Sequence, residues 1–193
     1  MIDRSTGRRG AGATILIVDD ETEVADLYTV HLDDLYEVRT AYGGEAALEA
    51  VDGSVDVVLL DRRMPDISGD EVLERIRERG LDCRVVVVTA IEPDFDIVDM
   101  EFDDYLTKPV DRSTLQDVVE RQLVYDSYDA RLREYLQLRS KIEVLERQKS
   151  RRELDENDRY NELKVVAKSL HDDLLGMIRE HDDLDLDEED LHP

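Results

Sequence analysis

Cysteine occurs once in this chain, at Cys83, and tryptophan not at all. A lone thiol excludes an intramolecular disulfide and a cysteine metal cage. Beside the apolar run Val85 to Val88 it reads as a packing residue. Long apolar runs are also missing: Val85 to Val88 is among the longest, far short of the roughly 20 residues that span a bilayer. The opening MIDRSTGRRGAGAT has no apolar core of the signal-peptide kind. The expectation is a small chain with no membrane association that stays in the cytoplasm. Basic residues are few, 25 against 50 acidic, and only five of them are lysine. A net charge of −25 argues against unspecific attraction to nucleic acid or anionic lipid. It also makes a compact chain repel itself unless ions screen it, which suits a high-salt cytoplasm.

What is present is a regular alternation. After a Gly- and Arg-containing arm over residues 1–13, ATILIVD reads as a buried strand and ETEVADLYTVHLDDL as a helix with Val24, Leu27, Tyr28 and Leu32 on one face. EVRTAY, VDVVLLD, CRVVVVTA and DYLTK read as further strands, with GEAALEAV, GDEVLERIRER and STLQDVVERQL as helices. Continuously apolar strands need cover on both faces, hence an α/β fold: a doubly wound, five-stranded parallel sheet between helices. Its chemistry should collect at the carboxyl ends of the strands, near the point where strand order reverses.

At those ends stand Asp19 and Asp20, Asp61, Thr89, and Lys108 followed by Pro109. This explains why ILIVDDE runs four apolar residues straight into three acids: a buried strand exits into a shared cleft. Crowded carboxylates raise one another's pKa unless a cation sits among them, and three aspartates suit a hard divalent ion, best Mg²⁺. With a lysine and a hydroxyl opposite, the cleft suits a tetrahedral phosphoryl group, and an aspartate there can itself become the nucleophile. A nucleotide hydrolase would need an upstream Gly-rich loop ending in Lys-Ser/Thr, and GRRGAGAT contains no lysine.

VDDE, LLDRRMP with Gly69 beyond it, VVVVTA and DYLTKP, in this order among alternating strands, resemble the receiver domain of two-component response regulators over residues 14–124. The resemblance implies a flavodoxin-like strand order 2-1-3-4-5 and a sensor histidine kinase as partner. Asp61 would accept the phosphoryl group. Asp20, Asp61 and the Arg63 backbone carbonyl would hold Mg²⁺ with help from Asp19. Thr89 and Lys108 would bind phosphoryl oxygens, Thr89 and Tyr105 would act as switch residues, and Lys108-Pro109 would be cis. Such a domain is a phosphoacceptor rather than an enzyme in the ordinary sense, though it can catalyse its own phosphotransfer and dephosphorylation. One departure is AIEPDFDIVDMEFDDYLT, which with Pro93 leaves room for only one or two turns of a fourth helix and puts the family's usual pairing face in doubt.

From Arg121 glycine is absent until Gly176 and proline until Pro193. Apolar residues recur at Tyr128, Leu132, Tyr135, Leu138, Ile142 and Leu145, then at Tyr160, Leu163, Ala167, Leu170, Leu174 and Met177. These stripes predict two helices folded into a hairpin over residues 125–181, the second spaced like a coiled-coil seam. The first would continue the last receiver helix. Ser150 with Glu153 supplies a capping box, and Asp155, Asn157 and Asp158 further caps. An acidic tail, residues 182–193, follows. This part resembles the HalX domain, a helical module attached to receivers in haloarchaea.

Three outputs are open on sequence. The hairpin could be an interaction or homodimerisation module, with Leu170 and Leu174 at the seam. It could bind DNA through Arg139, Lys141, Arg147, Lys149, Arg151 and Arg152, although Glu143, Glu146 and Glu153 interrupt them and no helix-turn-helix pattern is present. Or His171, followed by Asp172, could carry a phosphoryl group, but Gly176 falls one residue late for that motif.

Overall fold

The computed structural model describes residues 12–93 and 95–181; all but the end of the N-terminal arm, and the whole acidic tail, lie outside the described residues. Five strands form one parallel sheet: β1 (Thr14–Val18), β2 (Glu37–Ala41), β3 (Val57–Leu60), β4 (Arg84–Thr89) and β5 (Asp104–Thr107), in the order β2-β1-β3-β4-β5. The expected doubly wound sheet with order 2-1-3-4-5 is therefore the observed one. Helices α1 (Thr22–Leu32), α2 (Gly44–Ala50) and α3 (Gly69–Glu78) connect the strands, and α4 (Arg112–Gln148) begins after β5.

Side chains alternate across a strand, and the core divides accordingly. Leu16, Val18, Val58, Leu60 and Val85 pack with Ala47, Leu48, Val72, Leu73 and Ile76 of α2 and α3. Ile15, Ile17, Val57, Leu59, Val86 and Val88 point the other way, against Ala25, Tyr28 and Leu32 of α1 and Leu115, Val118 and Val119 of α4. The central strands are apolar at consecutive positions because each face has its own layer of helices. Among the described residues between β4 and β5 the one helical element is a five-residue 3-10 turn, Phe95–Asp99. Cys83 is buried in the first layer, where burial pushes its thiol up to about 11 and leaves it unreactive near neutrality.

The chain divides into two compact units, residues 1–123 and 124–193. In the second, α4 runs on to Gln148 and α6 (Asp158–Glu180) returns antiparallel to it. Their shared core is Tyr128, Tyr135 and Leu174, with Leu132, Leu170, Met177 and Ile178 packed around it. Nearer the bend, the Tyr160 hydroxyl donates to the Glu146 carboxylate over 2.7 Å. A third element, not expected from the stripes, interrupts the bend: short helix α5 (Arg151–Asp155). The Ser150–Glu153 capping box starts α5, and the Asn157 side chain caps α6 by accepting from the Tyr160 amide. Two cap signals close together thus mark two helix starts rather than one.

Candidate functional site

Strand register builds the site. Val18 pairs with Leu60 across β1 and β3, so Asp19 and Asp61, each one residue further on, emerge side by side. The amide of Asp61 donates to the Val18 carbonyl and that of Asp19 to the Ala41 carbonyl, which extends both strands by one residue. Thr89 pairs with Thr107 across β4 and β5, and the Lys108 amide donates to the Thr89 carbonyl. Lys108 therefore leaves the sheet level with the two aspartates. The Lys108-Pro109 peptide is cis.

The Lys108 ammonium lies 2.6 Å from Asp19 Oδ2 and 3.1 Å from Asp61 Oδ1. Asp19, Asp61 and Thr89 are buried, at 2%, 5% and 1% exposure, while Asp20 is exposed beside them. The remaining oxygens accept backbone amides: Asp19 Oδ1 from Glu21, Asp61 Oδ2 from Arg63. Two buried carboxylates thus share one ammonium, and a negative charge is left over. Burial raises the Asp19 carboxyl above its usual range, against the lowering effect of Lys108. Burial pulls the Lys108 ammonium down, but its hydrogen bonds to Asp19 and Asp61 outweigh this and hold it high.

Excess negative charge on hard oxygen donors is the chemistry a divalent cation relieves, and the residues present fit Mg²⁺ in kind. Among the described residues no three acidic, histidine or cysteine side chains are gathered closely enough to form a closed cage. Lys108 instead occupies the inner oxygens.

Tyr105, on β5, donates its hydroxyl to the Ile91 carbonyl over 2.9 Å, and its ring lies 5.7 Å from that of Phe102. The Ile91 amide in turn points to Thr89 Oγ1 at 3.5 Å, so Thr89 and Tyr105 both touch the segment that follows β4. His171 lies elsewhere, on α6, with its ring 5.6 Å from Tyr135 and Nδ1 3.7 Å from Asp172.

One pair was not evident in the sequence. Arg62, buried directly after Asp61, forks onto Asp70 with two bonds of 2.9 Å. This clamps the loop from β3 to α3. Gly69 closes the same loop, its amide donating to the Arg62 carbonyl. A Cβ at Gly69 would meet the Asp61 carbonyl oxygen at 2.1 Å. An arginine beside a predicted strand end was the available signal, but a partner eight residues on depends on how the loop folds.

The strand order and the acidic cleft with its lysine define a doubly wound α/β domain with a polar site at the carboxyl edge of its sheet. The family model for the response regulator receiver domain matches residues 15–120, and that for the HalX domain matches residues 124–191. The chain belongs to the response regulator receiver family and carries a HalX domain after the receiver. A Haloferax volcanii protein provisionally named a transcriptional regulator is 53% identical over 137 residues, 70% of this chain and 24% of that protein. The transcriptional regulatory protein DltR of Streptococcus agalactiae is 39% identical over 106 residues, 52% of this chain and 47% of its own. The chain thus spans a quarter to about half the length of these relatives. Among solved structures, the BeF3-activated DrrB receiver domain is 31% identical with a TM-score of 0.54, covering 57% of this chain and 97% of that one. A CheY-like receiver domain from Methanospirillum hungatei is 25% identical with a TM-score of 0.56, covering 62% and 99%. No helix among the described residues is long and apolar enough to cross a membrane.

Proposed function

We propose that this chain is a response regulator of a two-component phosphorelay, phosphorylated on Asp61 by a sensor histidine kinase and signalling through its helical unit. The observation that carries the reading is the Lys108 ammonium, held by both Asp19 and Asp61 at the end of adjacent strands. An Asp61 carboxylate oxygen attacks phosphorus, the phosphorus–nitrogen bond of a phosphohistidine breaks, and the imidazole keeps the electron pair. Asp19, Asp20, Asp61 and the Arg63 carbonyl would hold Mg²⁺, which when bound neutralises charge on the phosphoryl oxygens. Lys108 moves from Asp61 to a phosphoryl oxygen, and Thr89 donates its hydroxyl to another. Tyr105, released from the Ile91 carbonyl, turns with the Thr89 segment. Water attacking the same phosphorus would return Asp61 to its resting state.

A small phosphodonor with Mg²⁺ should add one acid-stable, base-labile phosphoryl group, and Asp61→Asn should abolish it. Labelling that survives Asp61→Asn unchanged sinks the assignment. For the output, an interaction module is favoured over a DNA reader by the cations themselves. Arg139, Arg147, Lys149 and Arg152 are each paired with a glutamate four residues away. The provisional name of the Haloferax relative keeps a DNA-binding regulator as the second reading. Duplex affinity that falls steeply with salt would select it.

A further inference from the structure

In the helical unit, Leu174 is used up by the unit's own core and Leu170 is partly so. Leu174 is 0% exposed in the unit's own core, and Leu170 packs against it. The large apolar side chains left in the open include Val144 on α4, at 56% exposure, and Val165 and Val166 on α6, at 70% and 47%. They belong to two neighbouring surfaces. The first is a groove of about 840 Å³ between the end of α4, α5 and the start of α6, with Val144, Leu145, Leu154 and Leu163 in its wall and Lys141 and Arg159 among its charged lining. The second is a strip of α6 where Val165 and Val166 stand with Asp158 and Glu162. Positions 158, 162 and 165 share one helix face.

The unpaired charges of the two surfaces are opposite; the groove's other charged lining residues, Lys149, Glu153 and Glu156, are already held in ion pairs within the unit. Among the described residues Lys141 and Arg159 form no ion pair, and neither do Asp158 and Glu162, although their neighbours on α4 and α5 are paired in cis. The wider stretch is also exceptional in its balance. Residues 139–164 carry eight basic and seven acidic side chains, in a chain whose net charge is −25. Two such chains repel each other over most of their surfaces, and here they do not.

From this juxtaposition we infer that the helical unit pairs with a second copy of itself, the Val165 strip of each copy seating in the Val144 groove of the other. A two-fold axis makes the contact reciprocal, so each strip meets a groove and no surface is left to propagate a filament. Glu162 of one copy faces Lys141 of the other, and the valines supply the apolar contact. The inference rests on the interaction-module reading of the output and is independent of phosphoryl transfer at Asp61.

Sedimentation equilibrium of the full chain in moderate KCl tests it. Wild type should be a dimer in reversible equilibrium. Val165→Glu should raise the dissociation constant by about tenfold or more, as expected for a carboxylate buried against an apolar wall. Lys141→Glu and Glu162→Lys should each weaken the dimer several-fold, and the double reversal should recover most of the loss, because it restores the pair with its signs exchanged. All these side chains are on the surface, so far-ultraviolet circular dichroism should stay unchanged and phosphodonor labelling at Asp61 intact. A wild-type chain that stays monomeric throughout, or a double reversal as weak as the single ones, overturns the inference. Unchanged labelling in that outcome leaves the phosphorelay reading standing.

Discussion

The two units solve the problem of acidity differently. Residues 1–123 hold 13 basic and 30 acidic side chains, a balance of −17, and residues 124–193 hold 12 and 20, a balance of −8. The receiver unit takes two of its acids inside, at Asp19 and Asp61, and answers them with one lysine. Among its described residues the helical unit buries no acid, and it pairs Glu143, Glu153 and Glu156 with basic side chains four residues away. Their cores differ as well: branched aliphatic side chains from a sheet in one, tyrosines and a leucine in the other. A buried charge kept under tension suits a site waiting for a cation and a phosphoryl group. Charge balanced on a surface suits contact with another protein.

The largest effect should come from breaking one unit while sparing the other. Leu174→Asp puts a carboxylate into a fully enclosed position. It should cost about 3–5 kcal/mol and unfold the helical unit. Hydrogen exchange should then show protection lost over residues 124–181 and kept in the sheet. Loss of both together would mean that the two units fold as one.

Gly69→Ala attacks the receiver at its tightest contact. The added Cβ would press on the Asp61 carbonyl, so the loop clamped by Arg62 and Asp70 has to shift. The expected cost is about 2–4 kcal/mol, and the phosphorylation rate should fall more than the stability does. A variant that labels at the wild-type rate would show that the loop tolerates displacement.

Asp19→Asn sharpens the contrast, because it should stabilise. A carboxyl whose pKa is raised by folding binds more protons in the folded chain, so stability falls as pH rises from the unfolded value near 3.8 through the folded one. Above that window the full cost of the buried charge is present, and the amide removes it. Metal-free receiver should therefore gain a few degrees in Tm at neutral pH, the gain vanishing below pH 3.8. Adding Mg²⁺ should shrink it. Lys108 has the opposite sense: its folded pKa is raised above 10.5, so its contribution is complete below that value and is lost as pH rises through the folded one. A Tm that falls on Asp19→Asn at pH 7 would mean that the ion pair outweighs burial.

The smallest effects belong to the ends of elements and to the solvent. Ser150→Ala removes the cap of α5 and should cost the helical unit about 1 kcal/mol, leaving the receiver melt unchanged. Raising KCl from low to molar should raise both melting temperatures, and the receiver's by more, since it carries the larger imbalance. Equal shifts would remove the electrostatic distinction drawn between the units.

How much of this was legible in advance follows from what each feature depends on. Strand run, helix stripe and cap are local, so ILIVDDE, the alternation behind it and the Ser150–Glu153 box could be read directly. Asp19, Asp61, Thr89 and Lys108 were legible as a group because strands of one parallel sheet end on one edge, whatever the loops do. Which carboxylate faces the lysine was not: Asp19 is buried against Lys108 while Asp20, its equal in the sequence, is exposed, because side chains alternate and the register of β1 with β3 assigns the inner face. The Arg62–Asp70 fork and the extra helix α5 depend on how a loop and a bend close, which spacing does not encode. The stripe through Leu170 and Leu174 announced a buried face, but only packing within the unit decided what buries it. Local periodicity, capping and strand-end chemistry were thus determined by the sequence alone. The partner of each face and each charge was decided by the tertiary structure, since partners are set by distances between residues that the chain brings together only after it folds.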